Sequence, residues 1–170
     1  TNPYAGLKTD CADATYAMRV IYSYERRLPF KVLNSTDHTG RSGRFISNEM
    51  TRWSRLGETP RIRAFINYVS DVTSTETIPN DTYPVAVSRE TMGRAGGVAL
   101  RLDNGDEASH TMQILEIDKY GRMITMASTV PKRARLLQLE RGWPTDPLVP
   151  PRDGYRYWRP LEYIGRKVSD

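Results

Sequence analysis

The stretch Thr9-Asp10-Cys11-Ala12-Asp13-Ala14-Thr15-Tyr16-Ala17-Met18, continuing through Ile21 to Leu28-Pro29, decides how this chain is read. Ala14, Ala17, Met18, Ile21 and Leu28 recur at three- and four-residue spacing, which predicts a helix over residues 12–27. Thr9 and Asp10 are capping residue types, and the proline at 29 ends the segment. Cys11 then falls on the first turn of the helix.

Cys11 is the only cysteine among 170 residues. An intrachain disulfide, a four-thiolate zinc site and a CxxC redox pair are thereby excluded, and the thiol serves either packing or chemistry. With 38% hydrophobic residues the chain has enough apolar surface for one core, so residues 1–170 read as a single domain. No apolar run reaches 18 residues, so no transmembrane segment is expected. Thr1-Asn2-Pro3-Tyr4 has neither a basic nor an apolar leader character, and the start on Thr1 fits a processed product. A net charge of +5 and a pI near 9.4 suit an anionic partner. The basic residues are mostly arginines dispersed along the chain, which fits a solvated surface equally well.

Beyond the first helix, residues 34–44 hold Ser, Thr, Asp, His and Gly without periodicity and read as a surface loop. Residues 48–56 are expected to form a helix ending at Gly57. Thr59-Pro60 then opens another, with Ile62, Phe65, Ile66 and Val69 as its core stripe. Residues 73–82 read as a polar connector. From there the period shortens: residues 83–88, 97–102, 110–117 and 122–129 read as strands, and Asp118-Lys119-Tyr120-Gly121 reads as a hairpin turn. The tail over residues 143–160 contains five prolines and reads as extended chain, with one short strand at residues 155–158. Helices first and a strand meander after define an α+β domain with an antiparallel sheet.

A thiolate, not a thiol, attacks a carbonyl, and the unpaired N–H groups at a helix N-terminus favour the anion and can hold a developing oxyanion. A base is then needed, and the chain has two histidines. His38 lies in the loop Asp37-His38-Thr39-Gly40, where little fixes its side chain. His110 opens a strand after a polar turn that ends at Ser109, and a rigid element aims it.

Four motifs follow in order: Pro3-Tyr4-Ala5-Gly6, Asp10-Cys11-Ala12-Asp13 opening a helix, Ala95-Gly96-Gly97-Val98 before a strand, and Ser109-His110-Thr111-Met112 opening the next. This order resembles the NlpC-type papain-like cysteine peptidases over residues 3–30 and 83–130. Residues 34–82 would be a helical insertion and residues 143–170 an added tail. The resemblance implies a nucleophile helix packed on an antiparallel sheet, with Cys11 as nucleophile, His110 as base and Tyr4 as a hydroxyl on the oxyanion side. Asp10, Asp13 and Ser109 flank these groups and would meet substrate.

The chain departs from the pattern at three places. Asp13 stands for the usual glycine after the nucleophile, and Gly97 stands for the usual aspartate before the strand. Met126 occupies the place of the orienting histidine, and a thioether is a weak acceptor. Ser128, two residues on and on the same strand face, would take that role, or a carbonyl or water would, or activity is lost. The resemblance implies hydrolysis of peptide or amide bonds in bacterial cell-wall stem peptides, in the periplasm or outside the cell, with neither metal nor cofactor. Lipid amidase or acyltransferase chemistry is open to the same fold. The competing class is a non-catalytic basic module for an anionic polymer, with Trp53, Tyr155, Tyr157 and Trp158 as contact residues; no RNP, KH or zinc-finger pattern argues for nucleic acid.

Overall fold

The computed structural model describes residues 2–36, 45–86, 88–92, 96–101, 109–142 and 154–159. Helix α1 runs Cys11–Glu25, and Asp10 caps it through a reciprocal box. The Asp13 amide donates to Asp10 Oδ1 at 3.0 Å, and the Asp10 amide donates to Asp13 Oδ2 at 3.2 Å. The helix ends two residues before its predicted limit. Arg27 takes a left-handed conformation, φ 55°, and the Leu28 amide closes back on the Ser23 carbonyl at 2.8 Å.

Strands β1 (Lys31–Leu33) and β2 (Phe45–Ser47) form a small antiparallel pair that no sequence signal predicted. The expected helix over residues 48–56 is absent. Its place is taken by isolated turns, such as Ser54 N–H to Thr51 O and Leu56 N–H to Trp53 O. Asn48 explains the failure at the start of that segment: its side chain is spent on the Phe30 amide and the Leu28 carbonyl, which ties it to neighbouring loop backbone. Helix α2 (Glu58–Val72) follows, starting one residue ahead of Thr59 with Gly57 as cap and Pro60 in its first turn. A 3-10 turn (Thr75–Thr77), the one-turn α3 (Ile78–Asp81), β3 (Thr82–Val85) and the short α4 (Arg89–Met92) lead to the main sheet.

That sheet contains β3, β4 (Val98–Arg101), β5 (His110–Ile117), β6 (Met123–Ala127), β7 (Gln138–Gly142) and β8 (Tyr155–Trp158), in the order β3-β8-β4-β5-β6-β7. All recorded pairings are antiparallel. The domain is therefore α+β, as the helix-then-strand pattern predicts. The turn after β5 forms where expected: the Gly121 amide bonds to the Asp118 carbonyl at 2.9 Å, and Gly121 supplies φ 86°. Strand β7 was not predicted. His38, the turn before Ser109, Ala95 and most of the proline-rich tail lie outside the described residues.

The sheet separates two apolar clusters, and alternation along the strands assigns each residue to one of them. Val98 and Leu100 join Tyr16 and Val20 of α1, with Ile66 and Val69 of α2, in the larger core. Ala99, Met112, Ile114, Met123, Ala127 and Tyr155 form the second cluster on the opposite face. No helix of the described residues is long and apolar enough to cross a membrane.

Candidate functional site

Cys11 occupies the first helical position of α1 and is 6% exposed. Its sulfur meets Thr75 Oγ1 at 3.5 Å, so the 3-10 turn after α2 closes over the thiol. The capping box engages the Asp10 and Asp13 amides. Those of Cys11 and Ala12 remain the first-turn donors of the helix. The N-terminus is held from below as well: Ser128, fully buried beyond the end of β6, donates its hydroxyl to the Thr9 carbonyl at 3.0 Å, and Thr9 forms a backbone bridge with Arg133.

A cleft of about 380 Å³ opens at this point, lined by Cys11, Asp13, Asp71, Thr75, Glu76 and Ser109 among others. Lys132 reaches into it, 3.1 Å from Asp13 Oδ2 and 3.7 Å from Asp71 Oδ1. Burial pushes the Asp13 carboxyl up, and the Asp10 charge adds to this, while the Asp10 amide and Lys132 oppose it. Ser109 donates to Glu76 Oε1 at 2.7 Å, and this bond, with one from Ser74, holds the Glu76 carboxyl low. Asp10, Asp13 and Ser109, expected beside the nucleophile, are thus brought together there. Thr75, Glu76 and Lys132 were missed; Thr75 and Glu76 lay in what read as a connector. The Ser74 to Thr77 spacing was its one usable signal, because Thr77 Oγ1 accepts the Ser74 amide at 2.9 Å.

Two expectations are corrected. The Tyr4 hydroxyl donates to Glu25 Oε1 at the far end of α1, 14 residues beyond Cys11 and about 21 Å along the axis, so it is not an oxyanion-side group. His110 does open a strand, but the register aims it away from α1. It lies opposite Arg101, two residues from the Ala99 and Met112 pair of the second cluster and so on the same face, whereas Thr111 opposite Leu100 takes the helix-facing position. The Arg101 and Glu140 charges act on it, and Glu140 pairs with Thr125 on that same face. Burial and then Arg101 push the imidazole pKa down. Cys11 and His110 therefore form no dyad in this structure. Ser128 is not oriented on His110 either, because its proton is given to Thr9 on the helix side.

Met126 pairs with Gln113, and both share the α1 side with Ser109 and Thr111. Polar residues Ser109, Thr111 and Gln113 alternate with His110, Met112 and Ile114. This pattern was legible: it groups His110 with the apolar stripe. Among the described residues no group of three or more His, Cys, Asp or Glu side chains could hold a metal ion. The chain matches no family model, no curated protein and no solved structure.

Proposed function

We propose that this domain is a cysteine hydrolase of NlpC-like, papain-type architecture acting on amide bonds, with Cys11 as nucleophile. The observation that supports the reading is a thiol at the first position of a capped 15-residue helix, opening on a polar cleft that the residue preceding a strand-end histidine also lines. Cys11 loses its proton to His110, and the sulfur attacks the carbonyl carbon of the substrate. The carbonyl electron pair moves to oxygen, where the Cys11 and Ala12 amides stabilise it. The tetrahedral species expels the amine with the proton from His110, and water attacks the acyl-enzyme to release the acid. In this reading His110 serves as base in a conformation that releases the first residue of β5 from its pairing with Arg101, so that the imidazole turns to the cleft face. The substrate class is the peptide or amide bond of cell-wall stem peptides in a bacterial envelope, with lipid amides or acyl transfer as the related chemistry.

Cys11→Ala and His110→Ala are tested on purified peptidoglycan and on a lipid amide, with detection of released amine. Both variants are expected to lose release by at least about a hundredfold, the usual share of a base. Parent-like release from both overturns the assignment. Placement of His110 on the far face favours one second reading, a non-catalytic basic module. Exposed Arg52, stacked against Trp53 and Tyr68 at 5.4 and 4.9 Å, is its best contact group. Steep loss of affinity for an anionic polymer between low and physiological salt, without turnover, distinguishes that case.

A further inference from the structure

Eight residues along α1 from Cys11, about 12 Å away, Arg19 lines a second cavity of about 620 Å³ shared by α1, the Leu28-Pro29 turn and strands β3, β5 and β8. Its walls are aromatic: Tyr22, Tyr83, Tyr157 and Trp158. Two polar side chains there are left wanting. Arg19 Nε is buried with no hydrogen-bond partner, and no described carboxylate lies within ion-pair distance of the guanidinium. Gln113 is 8% exposed, lines the same cavity, and its Oε1 has no partner.

Burying a polar group without a partner costs stability, and a buried cation costs more. The nearest compensation for Arg19 is incomplete. Among the described residues Asp81 is the carboxylate whose charge acts on it, and the Asp81 carboxyl also accepts the Leu33 amide at 2.8 Å and the Tyr16 hydroxyl at 2.9 Å. The Asp81 carboxylate is thus shared between the Arg19 charge and two hydrogen-bond donors. The Arg19 guanidinium carbon sits 4.4 Å from the Trp158 ring centroid, so the face of the group is stacked and its edge carries the remaining donors. A guanidinium on the wall of a largely aromatic cavity matches a carboxylate, which takes two parallel N–H bonds. Burial also draws the Arg19 pKa down to about 10, the mark of an under-compensated cation.

We propose that this cavity is a binding site for a small organic carboxylate on an aromatic or aliphatic body, with Arg19 as counter-charge, Gln113 as the amide contact and the aromatic residues as walls. The site is separate from the cleft at Cys11 and does not rest on the hydrolase reading.

Phenylacetate and octanoate, each against its uncharged amide, are the probes, titrated by calorimetry and ligand-detected NMR. The acids are expected to bind at least about tenfold more tightly than the amides, the worth of a charge-assisted hydrogen bond. Arg19→Met keeps an apolar stem over Trp158 and is expected to erase that preference. Tyr22→Ala, at an exposed rim position, is expected to weaken acid and amide alike, and Lys119→Met on the outer surface is expected to change neither. Cys11→Ala is expected to bind as the parent does. Binding of neither class, equal binding of acid and amide, or an acid preference that survives in Arg19→Met overturns the proposal.

Discussion

His110 is a titratable group whose surroundings favour its neutral form, since burial and the Arg101 charge outweigh the attraction of Glu140. Its folded pKa lies below the ordinary 6.5, so the unfolded chain binds more protons in that range. Its contribution to stability is present above that pH and is lost on acidification. Urea midpoints measured from pH 7 to pH 5 should fall faster for the parent than for His110→Gln. Asp81 works with the opposite sign. Burial lifts its carboxyl to about 6 against the tyrosine hydroxyl, the Leu33 amide and two arginine charges that favour the anion. The folded form binds the extra proton, so stability is fullest below the ordinary carboxylate pKa and declines as pH rises through 6. Parent stability relative to Asp81→Asn should therefore decrease between pH 4 and pH 7, and a flat difference would show that Asp81 stays ionised throughout.

At the level of elements, the α1 N-terminus and the close approach of β4 to its neighbours are the most exacting pieces. Asp10→Ala removes the acceptor for the Asp13 amide and one half of the capping box. It should cost about 1 kcal/mol in chemical denaturation. Gly97, at the edge of β4, has no room for a methyl: an added Cβ would sit 2.9 Å from Tyr157 Cε1 and 3.1 Å from Ile114 Cδ1. Gly97→Ala should destabilise by roughly 1–3 kcal/mol, with a shifted Tyr157 resonance as its local sign. The glycine that stands where the resembled pattern has aspartate is thus accounted for by packing. Elements with strong periodicity were legible: α1, α2, and strands β5 and β6 stand close to where spacing and β-branched residues put them. What failed was whatever tertiary context decides. Asn48 diverts its segment into turns, β1 and β2 are three residues each and pair through neighbours distant in sequence, and Thr75 acquires meaning only by meeting Cys11 from 64 positions away. The facing of His110 was legible in principle, because Met112 and Ile114 share its parity.

Across the whole molecule, the sheet is joined by its last strand. β8 pairs with β3 on one side and with β4 on the other, in the register Thr82 to Trp158 and Val98 to Arg156. Tyr155 fills the second cluster, and Trp158 packs on Tyr16 with ring centroids 5.2 Å apart. Arg156 adds a bond to Thr82 Oγ1 at 2.7 Å. A chain truncated before Gly154 would leave β3 detached from β4 and two clusters uncovered. It should lose cooperative unfolding, seen as a broad, probe-dependent transition in place of a single one.

The position of β8 also constrains biosynthesis. A polypeptide emerging from the ribosome exposes the flank of Val98 and Ala99 while some fifty further residues are still being added. At usual elongation rates that interval lasts about 3–10 seconds, long compared with hairpin formation. Nascent copies then hold an open, apolar β-edge beside one another, and holdase chaperones would be expected to raise the yield of properly folded protein.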